Sequence, residues 1–217
     1  MLKACDASRP RPRDRIVEMA RDLFRQHGLR GIGVDAIAEA AGTNKMTLYR
    51  HFASKDDLIV ACLSEIAVEV DAIWDGVEAA HPDDPMAQLH AWVRCVAEYA
   101  IAEGRGCDIS KAAVELTERD HPARKVIAQF KTKQRERLAK LCREAGIKQA
   151  EILADTLSLL IEGARANWQS VGQDGPGSRF VSVGEAVIET FSAETSHAPS
   201  ASDAVSGQAE TPKAIAG

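Results

Sequence analysis

The stretch Gly31-Ile-Gly-Val-Asp-Ala-Ile-Ala-Glu-Ala-Ala-Gly-Thr-Asn-Lys-Met-Thr-Leu-Tyr-Arg-His-Phe-Ala-Ser-Lys-Asp-Asp-Leu58 decides the fold. Val34, Ile37, Ala38 and Ala41 recur at helical spacing, and Gly42 stops the run. Asn44 is a good N-cap for a second short helix that reaches about His51. Ser54 caps a long helix after it, with Asp56 and Asp57 in the first turn, where carboxylates suit the positive end of the dipole. Ala38 is small enough for close crossing, and Val34, Ile37, Leu48 and Phe52 can form a miniature core. Helix, short turn, helix is the plan of a helix-turn-helix unit, whose second helix enters the DNA major groove.

That second helix leaves Lys45, Met46, Thr47, Tyr49, Arg50 and His51 outside the miniature core. Lys45 can reach guanine O6 and N7, and Met46 can touch a thymine methyl. Thr47, Tyr49 and His51 suit phosphates, which fix register without reading sequence. Lys55, at the start of the next helix, can add its charge to that helix's free amides on a further phosphate.

The charge distribution agrees. The 217 residues carry a net charge of −5, which taken alone argues against a nucleic-acid partner. Residues 1–55, however, hold 11 Lys/Arg and 6 Asp/Glu, a net of +5, and the remainder carries −10. A basic module is joined to an acidic body, and the basic module is where a polyanion would bind. Arg9-Pro-Arg-Pro-Arg13 reads either as an arm along the DNA or as a solvated leader.

Outward from this segment the chain is helical almost throughout, with no alternating β-branched runs joined by hairpin turns. A first helix over residues 14–27 puts Ile16, Met19, Ala20, Leu23 and Phe24 on one face and ends at Gly28. The long helix after Ser54 runs towards Ala80, and helices follow over about 86–103, 109–117, 120–145, 149–169 and 179–191. The fold class is all-α: about nine helices, a three-helix DNA-binding head and a helical-bundle body. The boundaries are a basic arm over 1–12, the head over 13–55, a ligand-binding and dimerisation body over 56–191, and a disordered tail over 192–217, where only Val205 and Ile215 are large aliphatics.

Apolar residues make up 45% of the chain, enough for a core, but no run approaches a membrane span and no apolar segment follows the basic N-terminus. A cytoplasmic location without membrane partners is the expectation. Five cysteines lack CxxC spacing and the histidines lack ligand spacing, so neither a disulfide framework nor a metal or cofactor site is expected. Cys107, between Gly106 and Asp108, is the cysteine to test for reactivity. His90 and His121 read as hydrogen-bonded polar residues, and the Lys131, Lys133, Arg135, Arg137 run reads as a solvated helix face.

The run Thr47-Leu-Tyr-Arg-His-Phe52 with Ser54-Lys55 and Leu58 resembles the signature of the TetR (tetracycline-repressor-like) family of bacterial transcriptional regulators. The resemblance covers roughly residues 13–75, with a weaker match over Arg105-Gly-Cys107, Lys111-Ala-Ala-Val-Glu-Leu116 and Asp120-His-Pro-Ala-Arg124. It implies a homodimer, an effector pocket in the body, and a dimer interface made by the last two helices of each protomer. It places Lys45 and Met46 at positions that often face bases, and Thr47, Tyr49, His51 and Lys55 at positions that often contact phosphate. Members commonly carry Ser or Thr just before the first helix of the motif, where this chain has Ile32 and Gly33. Gly33 still caps, but its hydroxyl contact to phosphate is absent, and a backbone amide near Gly33 is the alternative donor.

Candidate pocket residues are Trp92, Cys95, Tyr99, Cys107 and Trp168, although the three aromatics fit plain core equally well. The helix from Gln149 is apolar nearly all round, and a helix buried on every side in so small a body calls for a partner. Leu153, Leu157, Leu160, Ile161 and Ala164, with Val183, Val187 and Phe191 on the last helix, are the expected interface. The reading is therefore a ligand-released homodimeric repressor on a palindromic operator. The alternatives are an activator of the same fold, a protein-interaction module, and an enzyme, for which no phosphate loop, nucleophile elbow or metal motif speaks.

Overall fold

The computed structural model describes residues 11–99 and 107–196. Among the described residues the chain forms nine α-helices and no strand. Helix α1 (Pro12–Gly31), α2 (Val34–Ala40) and α3 (Lys45–His51) make the head. Helix α4 (Lys55–Ala80) leads into a body of α5 (Pro85–Ala97), α6 (Asp108–Glu115), α7 (Ala123–Glu144), α8 (Ala150–Val171) and α9 (Phe180–Ser196). Two short 3₁₀ turns, Gly172–Asp174 and Pro176–Arg179, fill the loop before α9.

Helix α1 starts at Pro12, two residues earlier than the periodicity indicated, because proline's fixed φ suits the first turn of a helix. Gly28 breaks it with φ 74°, a conformation that only glycine adopts without strain. The kink exposes the Leu29 amide, and the Glu115 carboxylate accepts from it at 2.6 Å. A helix terminus in the head is thus completed by a side chain at the end of α6, and the space beside Gly28 is taken by that same carboxylate.

Two buried clusters hold the molecule. The first unites α1, α2 and α3 with the start of α4 and with α6, around Ile16, Val17, Ile37, Leu48, Leu58 and Ile109. The second fills the body between the end of α4 and helices α5, α7, α8 and α9, around Trp74, Leu89, Leu138, Leu153, Leu157 and Ile188. The first cluster does not stop at residue 55: α6 and the start of α7 pack into it, so head and body share a core.

Much of the head's positive charge faces this junction. Arg21 donates to Glu69 at 2.7 Å, Arg25 to Asp108 at 2.8 Å, and Arg30 to Thr117 at 3.2 Å. The basic excess read from residues 1–55 therefore serves two ends, and only part of it is left for a polyanion. The run on α7 is also not simply solvated. Lys131 pairs with Glu162, Lys133 with Asp71, Arg135 with Asp155 and Arg137 with Asp75, tying α7 to α4 and α8.

Helix α5 ends earlier than expected and passes into a π-type turn at residues 98–99. Helix α9 runs on to Ser196, so residues 192–196 continue a helix instead of opening the tail. Residues 1–10, 100–106 and 197–217, with Cys5, Arg9, Arg105 and most of the expected tail, lie outside the described residues. Among the described residues no helix is long and apolar enough to cross a membrane.

Candidate nucleic-acid interface

The head presents α3 by burying one side of it. Leu48 is fully buried and Phe52 nearly so, while Ile37 and Ala38 of α2 fill the space opposite. Between the helices, Gly42 takes φ 61°, and its amide donates to the Glu39 carbonyl at 2.9 Å. The Asn44 side chain accepts from the Thr47 amide at 2.9 Å, which closes the start of α3. The Arg15 guanidinium reaches the Ala41 carbonyl at 3.3 Å, and Arg13 lies 5.4 Å from the Phe52 ring centroid, so α1 braces the turn from behind.

The opposite side of α3 is open. Met46 is 76% exposed and Tyr49 44%. Lys45, Arg50 and His51 are exposed beside them, and Thr47 is half-buried by its role at the cap. Lys45 donates to Asp35 of α2 at 2.9 Å, and this hydrogen bond holds its ammonium pKa above the usual lysine value. The pair is solvent-exposed and correspondingly weak, so a base edge or phosphate can displace Asp35.

Lys55 differs from the other candidates. It is half-buried, with its nitrogen 6.0 Å from the Phe24 ring centroid, and desolvation lowers its pKa. The Ser54 hydroxyl already accepts from the Asp57 amide at 3.0 Å, which satisfies one donor at this helix start. Gly33 precedes α2 in an extended conformation and is exposed, and a Cβ built there meets nothing within 4 Å. The missing hydroxyl of the motif thus has room, and no steric conflict explains the glycine.

The body offers a cavity of about 270 Å³ between α4, α5, α7 and α8. Trp74, Trp92 and Phe130 form much of its wall, and the two tryptophan rings lie 5.7 Å apart. Of the five pocket candidates, Trp92 lines this cavity. Cys95 and Tyr99 line a separate groove against α4, where the Tyr99 hydroxyl donates to Glu69 at 2.8 Å. Cys107 packs on the head's core and Trp168 on the body's core. Helical spacing could not separate these surfaces, because α5 touches α4 and α7 on adjacent faces. Gln134 and Arg165, which sequence reasoning did not single out, also line the cavity.

Cys62 and Cys142 are buried, and burial pushes both thiols up to about 12, which leaves them inert small hydrophobes. The ring of His121 accepts the Ala123 amide on Nδ1 at 3.2 Å and faces Asp56 through Nε2 at 3.3 Å, so it ties the start of α4 to the start of α7. Among the described residues, no group of His, Cys, Asp and Glu side chains is placed to hold a metal.

The proposed partner face needs correction. Leu153 and Leu157 are 0% exposed and Ile161 is 5% exposed, all packed inside their own protomer. The free side of α8 is Ile152 (55% exposed) and Leu159 (74%), with Gly163 beside them. Leu160, Ala164 and Val183 border a shallow groove of about 410 Å³ on that side, while Val187 and Phe191 are half-buried against the body's core. An apolar pattern that runs all round a helix does not tell which side packs inside the protomer.

Residues 16–62 match the family model described as bacterial regulatory proteins, tetR family. The match supports membership of the TetR family. Over its length it is similar to a TetR-family transcriptional regulator from Streptomyces coelicolor, with a TM-score of 0.77, 25% identity, and coverage of 83% of this chain and 96% of that one. An HTH-type transcriptional repressor of the same species is 29% identical over 172 residues, 72% of this chain and 77% of the relative. The HTH-type transcriptional activator FasR of Mycolicibacterium smegmatis is 37% identical over 68 residues, 31% of this chain and 30% of the relative. The protein is a DNA-binding transcriptional regulator with an N-terminal helix-turn-helix and a helical C-terminal body.

Proposed function

We propose that this regulator is a homodimeric repressor that binds a palindromic operator through two copies of α3 and is released by a small-molecule effector. The observation that carries the reading is the exposed row of Lys45, Met46, Tyr49 and Arg50 on a helix whose other side is locked into the core by Leu48. In this reading Lys45 and Met46 contact base edges. Thr47, Tyr49, His51, Lys55 and the Gly33 amide contact phosphates, and Arg50 supports either role. The groove formed by Leu159, Gly163 and Val183 meets its two-fold mate, which sets the two α3 helices about one DNA turn, or a multiple of it, apart. The cavity beside Trp74 and Trp92 receives the effector, and the shared core with α6 carries the change to the head. Repression is favoured over activation because the relative named a repressor matches across head and body, whereas the one named an activator matches over a short segment.

Gel-shift titration against DNA selected from a random pool tests this. Tyr49→Ala should weaken binding to every sequence, and Lys45→Ala should in addition relax base preference, by about 1–3 kcal/mol at its position. Affinity should fall steeply as salt rises, since phosphate contacts release counterions. Parent-like binding by both variants would refute the assignment of α3.

A further inference from the structure

We propose that the cavity between α4, α5, α7 and α8 is a site for an amphipathic organic anion. This rests on reading the body as an effector-binding domain and names the effector's chemical class. The ligand's apolar part lies against Trp74, Trp92 and Phe130, and its anionic group is held by Gln134 and Arg165.

The assignment follows from which polar groups lack partners. Trp74 Nε1 donates to Gln134 Oε1 at 2.6 Å, which fixes the amide with its NH₂ group turned the other way. Gln134 Nε2 is buried and has no partner among the described residues. Arg165 donates through one terminal nitrogen to Glu162 at 3.1 Å, while its Nε is likewise buried and unpartnered. Both unmatched groups in the cavity lining are therefore donors, and a buried donor without an acceptor is destabilising until one arrives.

The charges agree. Among the described residues, Lys131, Arg135 and Arg165 line the cavity against one carboxylate, Glu162. Glu162 is fully committed: it accepts from Lys131 at 2.6 Å, from Ser110 at 2.7 Å and from Arg165 at 3.1 Å. Recruiting a ligand cation would strip bonds from Glu162, whereas an anion offers acceptors to lining residues that carry unmatched donors. Ser110 belongs to α6, whose Asp108 and Glu115 hold Arg25 and the Leu29 amide of the head. An anion held by Arg165 beside Glu162 bears on the Ser110 hydrogen bond and so on α6, the element that touches the head.

Two fluorescent probes with the same rings separate the possibilities: anilinonaphthalene sulfonate and neutral phenyl-naphthylamine, titrated into the full chain. The sulfonate should bind about tenfold more tightly, as expected for hydrogen bonds to a charged group in a desolvated site. Gln134→Glu retains an acceptor for Trp74 while replacing the donor by negative charge, and Arg165→Met removes the guanidinium. Each should weaken the sulfonate by about tenfold and leave the neutral probe unchanged. Equal affinity for the two probes, or sulfonate binding indifferent to both variants, would overturn the assignment. Gel shifts on the same samples keep the two readings apart. Intact DNA binding released by the neutral probe would retain the effector domain and reject the anion, and failure to bind DNA at all would reject the regulator reading itself.

Discussion

Replacing Leu159 by Glu separates the outward face of α8 from its inward face. Leu159 is 74% exposed in the protomer, so the substitution should cost the fold little, within about 0.5 kcal/mol for a surface position. In the proposed dimer the same side chain is covered. Full burial of a leucine is worth about 1.5–3 kcal/mol, and three-quarters of that, taken from two copies across a two-fold axis, gives about 2–4 kcal/mol. Burying the introduced carboxylates without partners raises the cost further. A loss of about 4 kcal/mol corresponds to roughly a thousandfold weaker dimer. Sedimentation equilibrium should therefore show monomers at concentrations where the parent is dimeric, with a cooperative circular-dichroism melt retained. Leu157→Glu is the contrast: Leu157 is fully buried inside its own protomer, so that variant should lose its cooperative melt altogether. A Leu159→Glu protein that remains as dimeric as the parent would refute the placement of the interface.

Other expectations concern the head and the junction. Gly33→Ser fits without contact and adds a cap to α2; stability should rise by a few tenths of a kcal/mol in urea titrations, and operator affinity should rise if the hydroxyl reaches a phosphate. The Arg21 hydrogen bond holds the Glu69 carboxyl below its ordinary value of 4.5, so its contribution is complete above that pH and is lost as pH falls through the lowered folded-state value. Arg21→Met should flatten this acid-side decline of the urea midpoint, modestly because the pair is partly exposed, and an unaltered profile would show that other carboxylates dominate.

The head was legible because its information is local. Asn44, Gly42 and Ser54 act on backbone groups within a few residues, and α3 and α4 begin at the positions those caps indicate. Leu48 and Phe52 pointed inward for the same reason: in a seven-residue helix only one face can reach α1 and α2. The body's pocket was not legible to the same degree. Trp92, Cys95 and Tyr99 are all set at helical intervals, yet they serve different surfaces because α5 has neighbours on two sides. Gln134 and Arg165 gave no signal, since a polar residue on an amphipathic helix looks solvated until the packing covers it.

Sequence alone determined the helical class, the helix-turn-helix and the division of charge, since helix periodicity, capping and composition are properties of neighbouring residues. Tertiary structure decided how those pieces are used. It turned Arg21, Arg25 and Arg30 towards Glu69, Asp108 and Glu118 in the body, and it set the Glu115 carboxylate on the kink at Gly28. It also assigned Leu157 to the protomer's own core and Leu159 to its surface. These are contacts between residues up to about ninety positions apart, and no local pattern records which of two apolar faces another helix will cover.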